Sequence, residues 1–126
     1  MKKLLLITSA PYARTHKDGL SFAKSALQDN QAVSIFFYGD GAMVANRLAW
    51  QSSDVINITT EWASLASQAN LKLSVCVSTA LARGVCDSDN AKRHHLTGDN
   101  LHPAFTLVGL SELALSLDDD TELLQF

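Results

Sequence analysis

Long hydrophobic runs are missing from this chain. The apolar stretch nearest the start, Leu4–Ile7, lies between two lysines and the polar Thr8-Ser9. It is too short for the core of a secretory signal and far short of a membrane helix. An excess of basic charge is missing too, since ten Lys and Arg against thirteen Asp and Glu leave a net charge of −3. That balance offers no electrostatic footprint for nucleic acid or an anionic membrane, so neither is expected as a direct partner. Cysteine is scarce, with only Cys76 and Cys86, which excludes a disulfide scaffold. In the cytoplasmic protein these features imply, both are reduced thiols. No G-x-G-x-x-G or G-K-[ST] follows the first apolar run, so a nucleotide site has little support. Metal-ligand spacing is absent as well: His94-His95 and Cys86 form no C-x-x-C or H-x-x-x-H pattern, and Asp118-Asp119-Asp120 is too bunched for a divalent cation. There are no repeats, linkers or low-complexity segments.

What is present suits a packed core. With 47% hydrophobic and 18% charged residues, a chain of this length is expected to form one domain, residues 1–126. Lys3–Thr8, Ala32–Tyr38 and Phe105–Val108 read as buried strands, and Thr121–Phe126 as a closing one. Between them, a polar loop is expected through His16 to Gly19, then a helix from Leu20 to about Gln28. A short helix is expected over Ala42–Leu48, after the break at Gly39-Asp40-Gly41. Residues 49–57 are irregular, with Val55–Ile58 expected as a short extended piece. Thr59 or Thr60 is the expected cap of the next helix, whose apolar stripe is Trp62, Leu65, Ala66 and Ala69. At that spacing Trp62 reads as core. The segment from Cys86 to His95 is polar and predicts a surface loop with at most a turn or two of helix. Leu110, Leu113, Ala114 and Leu117 form a last helical stripe, stopped by the aspartates. Strand, helix and strand in repeated succession imply α/β architecture with a parallel sheet.

The stretch Leu71–Gly84 carries the chemistry. Leu73, Val75 and Val77 are strand-type residues, Ser78 and Thr79 can cap a helix, Ala80–Arg83 favour one and Gly84 can end it. Cys76 thus comes to the carboxyl end of a strand, where ligands gather in parallel sheets. The unpaired N–H groups of the following helix favour a thiolate there. A buried, inert cysteine fits the same residue type, and the local pattern alone leaves both readings open.

Taken in order, several pieces of the chain are similar to the DsrE-like family. They are Thr8-Ser9-Ala10-Pro11-Tyr12, Phe36–Gly41 with Ala45-Asn46, Val75–Val85, Asn100-Leu101, Phe105–Leu107, Gly109-Leu110 and Gln125-Phe126. No piece is specific alone; the ordered set, running nearly end to end, is. The resemblance implies a three-layer α/β/α domain with a mainly parallel sheet of about five strands. It implies a sulfurtransferase whose catalytic residue is Cys76, which accepts a persulfide sulfur and passes it on for 2-thiouridine formation at the tRNA wobble position. The implied partners are a TusA-like donor, a TusE-like acceptor and TusB-like and TusC-like subunits in a heterohexamer. Thiol exchange of this kind requires no metal or nucleotide cofactor. A helix N-terminus is the first candidate for stabilising the thiolate, with Arg83 second. The alternative is a noncatalytic assembly subunit of the same fold; a flavodoxin-like small-ligand binder is more distant. Two features depart from the family pattern: Cys86, which has no counterpart, and Pro103-Ala104, where glycine is expected.

Overall fold

The computed structural model describes residues 1–126. Five parallel strands, β1 (Lys2–Ile7), β2 (Val33–Phe37), β3 (Leu73–Cys76), β4 (Phe105–Val108) and β5 (Thr121–Gln125), form one sheet in the order β4-β3-β2-β1-β5. The helices are α1 (Arg14–Gln28), α2 (Ile58–Ala69), α3 (Val77–Ala82), α4 (Ser88–Arg93) and α5 (Leu110–Ser116), and a 3₁₀ segment spans Gly39–Ala45. Helices lie on both sides, so the three-layer expectation holds.

Adjacent strand residues point to opposite faces, and the two faces differ sharply. Leu5, Ile7, Ile35, Phe37, Leu73, Val75 and Phe105 join Leu20, Ala23 and Ala26 of α1 and Ile58, Trp62 and Ala66 of α2 in the main core. The other face carries a much smaller cluster of Leu4, Phe36 and Cys76, with Leu6, Val108 and Leu113 beside it. Leu4 and Leu5 are both buried, as the continuous apolar run of a doubly covered strand requires.

Several local expectations are corrected. The polar stretch to Gly19 is not a loop; α1 begins at Arg14. Its polar residues form the solvent side of the first turns, while His16 turns fully inward. Gly19 is held in the helix by contact, since a Cβ there would sit 2.7 Å from Ile7 Cδ1 and 3.1 Å from Phe126 Cβ. The segment after β2 is a 3₁₀ run ending at Ala45 rather than a helix to Leu48. It presses so closely on β1 that a Cβ on Gly41 would lie 2.1 Å from the Ile7 carbonyl oxygen. Residues 55–57 form no strand, and Ile58 opens α2. The α2 cap is Asn57, whose side chain accepts from the Thr60 N–H at 3.2 Å; Thr59 instead donates to the Val44 carbonyl at 2.6 Å. The expected last helical stripe forms α5, which stops at Ser116 and buries none of its residues completely. The reason is that the sheet surface opposite is already reduced to a narrow strip by polar Ser34, Ser74 and Thr106.

His16 is the polar group inside the main core. Trp62 Nε1–H donates to its Nε2 at 2.9 Å, and its Nδ1 lies 2.9 Å from the Ser9 carbonyl oxygen. Indole N–H is a donor only, so Nε2 must accept and Nδ1 must carry the proton. Burial pushes the imidazole below its ordinary value of 6.5, against a smaller opposing effect of the Ser9 carbonyl. The unfolded chain therefore binds this proton more readily than the folded one. Stability from the neutral ring is full above about pH 6.5 and is lost as pH falls from there through the lowered folded value. Thermal unfolding at stepped pH below neutrality is expected to show a falling midpoint in the wild type. A shallower fall is expected in His16→Gln, which cannot titrate; equal slopes would contradict the assignment.

Candidate functional site

Cys76 is the last residue of β3 and the cap residue of α3, with an extended backbone at φ −61° and ψ 118°. The strand therefore ends one residue earlier than expected, Val77 is the first helical residue, and neither Ser78 nor Thr79 is the cap. The junction follows from the packing: β3 pairs with Val108 of β4 through Cys76, and α3 departs at once. Cys76 thus sits at the amino end of α3, but its side chain makes no cap hydrogen bond there. The residue is 3% exposed, in contact with the Leu4–Phe36 cluster under the thinly covered face.

Polar contacts fix the surroundings of this junction. Thr79 Oγ1 lies 3.4 Å from the Cys76 carbonyl oxygen and accepts from the Gly39 N–H at 3.2 Å. Arg83 Nε donates to Asp40 Oδ1 at 2.9 Å, and its Nη1 donates to the Thr79 carbonyl at 3.2 Å. These bonds tie the segment after β2 to α3, both at the carboxyl edge of the sheet. Arg83 is thereby committed to Asp40 at the far end of the helix, and so it is a structural tie rather than a free cation for the thiolate. Gly84 follows with φ +77°, a conformation that releases the chain from α3 without strain only for glycine.

Cys86 is placed differently. It is 6% exposed, a correction to the expected surface segment, although α4 is indeed a short helix. Its Sγ lies 3.1 Å from the Gly98 carbonyl oxygen, and its N–H donates to Asn100 Oδ1 at 2.9 Å. Asn100 Nδ2 also reaches Asn46 Oδ1 and the Gly84 carbonyl. Asn46 and Asn100, two residues that carried the resemblance, therefore join three loops. Cys86 sits in a cleft with Leu48, Leu81 and Leu96, apart from the Cys76 cluster, and both thiols are free. His94 and His95 are exposed, and no group of three His, Cys, Asp or Glu side chains is placed to hold a metal ion.

One residue near the site escaped the sequence. Glu112 of α5 accepts from Lys72 Nζ at 2.8 Å and from Ser74 Oγ at 2.9 Å. Lys72 foremost, with help from Ser74, holds its carboxyl below the usual carboxylate range. The only signal available was a polar serine inside an otherwise apolar strand, which needs a partner when buried.

The DsrE/DsrF-like family model matches residues 1–126. The chain belongs to that family. Among relatives of this DsrE/DsrF-like chain, the Sulfurtransferase TusD of Pectobacterium atrosepticum is 36% identical over 124 residues, covering 97% of this chain and 96% of that protein. The Sulfurtransferase TusD of Yersinia pestis (strain Pestoides F) is 39% identical over 122 residues, covering 90% and 88%. The crystal structure of the ychN protein from E. coli superposes with a TM-score of 0.74 at 20% identity, over 100% of both chains. That last likeness shows the fold alone. The family resemblance and its fold are thus borne out.

Proposed function

We propose that this chain, acting as one domain over residues 1–126, is a sulfurtransferase of the TusD kind that carries sulfur on Cys76. The observation that carries the reading is the 36% to 39% identity to proteins named Sulfurtransferase TusD, and the free thiol at the strand–helix junction supports it. The Cys76 thiolate attacks the outer sulfur of a donor persulfide, R–S–SH. A new S–S bond forms, the donor S–S bond breaks, and the donor leaves as a thiolate. The product is Cys76–S–SH, with no net oxidation. A second thiolate, on the acceptor, then takes the outer sulfur in the same way and regenerates Cys76. Rates depend on thiolate fraction, access and leaving group, and neither metal nor nucleotide enters.

The donor is a TusA-like protein and the acceptor a TusE-like one, serving 2-thiouridine formation in tRNA. No helix is long and apolar enough to cross a membrane, and a carrier of this kind belongs in the cytoplasm, where thiols stay reduced. TusB-like and TusC-like subunits are the partners in the assembly. Large apolar side chains left in solvent support a partner-covered surface, Trp50 at 80% exposed and Leu115 at 86% among them.

Tryptic cleavage separates the two candidate thiols, because the fragment ending at Arg83 holds Cys76 and the one beginning at Gly84 holds Cys86. After incubation with a persulfidated donor and alkylation without reductant, one added sulfur is expected on the first fragment. Sulfur on the second fragment alone would transfer the role to Cys86, and sulfur on neither would leave an assembly subunit.

A further inference from the structure

Cys76 is covered, and its cover is poorly anchored. α5 is seven residues long, has no side-chain cap and buries none of its residues completely. An isolated helix of that length does not persist in water, so α5 depends on what holds it to the sheet. Two attachments are present. Leu113 packs on the cluster that contains Cys76, and the Glu112 carboxylate binds Lys72 Nζ and Ser74 Oγ. Ser74 is 6% exposed and lies on the same face of β3, two residues before Cys76. Leu110 and Leu117, at the two ends of the segment, are 51% and 44% exposed and Leu115 is 86% exposed, so much of their apolar surface is left off the sheet. Persulfide exchange requires a second sulfur to reach Sγ along the S–S axis, which a thiol under this cover does not permit.

We propose that α5 is a lifting cover over Cys76 and that Glu112 is its latch, a positioning residue that sets access to the thiol by gripping Lys72 and Ser74. The consequence for sulfur transfer rests on the carrier reading above; the latch itself does not. Short elements held by few buried contacts open locally well below the free energy of global unfolding. Loss of the latch therefore raises the open population without unfolding the sheet.

The test uses the full chain, iodoacetamide as probe and the two tryptic fragments as readout. Lys72→Glu and Glu112→Lys each turn the latch into a like-charge pair and are expected to raise Cys76 alkylation about tenfold, the factor for losing a hydrogen bond to a charged group at a half-exposed site. The double variant Lys72→Glu/Glu112→Lys restores opposite charges and is expected to return alkylation toward the wild-type rate. Cys86, buried elsewhere, is expected to stay unchanged throughout. Unchanged Cys76 alkylation in both single variants would overturn the proposal. So would a parallel rise at Cys86, which signals general loosening, or a double variant as open as the singles. Sulfur loading is measured separately on the same variants. Its failure alongside the expected alkylation pattern would count against the carrier role and leave the latch standing.

Discussion

Cys76→Ser is expected to lose sulfur uptake altogether, while Cys86→Ser keeps it. A serine hydroxyl at this position is not ionised near neutral pH and forms no stable bond to sulfane sulfur, so the exchange has no nucleophile. The loss is expected to exceed about a hundredfold, because no side chain at the junction takes over the role. The fold should survive, since the substitution exchanges one small side chain for another in a cluster of three buried residues. A buried hydroxyl without a partner costs about 1–3 kcal/mol, which a domain of this size tolerates. Intact mass after donor treatment reads the uptake, and circular dichroism confirms the fold. Sulfur uptake that persists in Cys76→Ser would refute the assignment. In Cys86→Ser the Gly98 carbonyl loses a weak thiol contact, and uptake is expected to remain at the wild-type level.

The largest effect on stability is expected at Trp62. Its side chain is wholly buried, meets Phe37 edge to face at 5.2 Å between ring centroids and donates to His16. Trp62→Ala opens a cavity and strands the His16 acceptor, for a loss of about 4 kcal/mol or more. Against a total of about 5–15 kcal/mol, that brings the chain close to unfolding at growth temperature, with a melting midpoint lower by about 15 °C. Trp62→Phe separates the two contributions: it keeps most of the volume, loses the N–H and should cost about 1–2 kcal/mol. Urea unfolding of the two variants measures the ladder. Equal losses in both would mean that the hydrogen bond, and not the packing, dominates.

Much of this architecture is legible in the residues, because buried parallel strands write themselves as apolar runs. Leu4–Ile7, Ile35–Phe37 and Phe105–Val108 could hardly be anything else, and all lie in the sheet. The α1 start was obscured by His16, a polar side chain whose core position depends on Trp62, 46 residues away. The α5 stripe had the correct spacing for a helix, and a helix forms. Periodicity reports amphipathic character, however, and cannot say whether the chain itself supplies the surface that covers it. Cys76 was legible as a thiol at a strand end, yet its burial, its role as the α3 cap residue and the latch at Glu112 all arise from contacts distant in sequence. Arg83 shows the same limit: its place in the motif is evident, but its engagement with Asp40 needs the fold.

A pulse and chase tests the central claim most directly. The wild-type chain, with TusB-like and TusC-like subunits present, is loaded from a persulfidated donor, freed of that donor and mixed with a TusE-like acceptor. At intervals the fragment ending at Arg83 and the acceptor are weighed. One sulfur should leave Cys76 and appear on the acceptor at the same rate, with Cys76 returning as the free thiol. Sulfur that stays on Cys76, or that is released as sulfide while a Cys76–Cys86 disulfide forms, would contradict a relay and make the thiol a dead end.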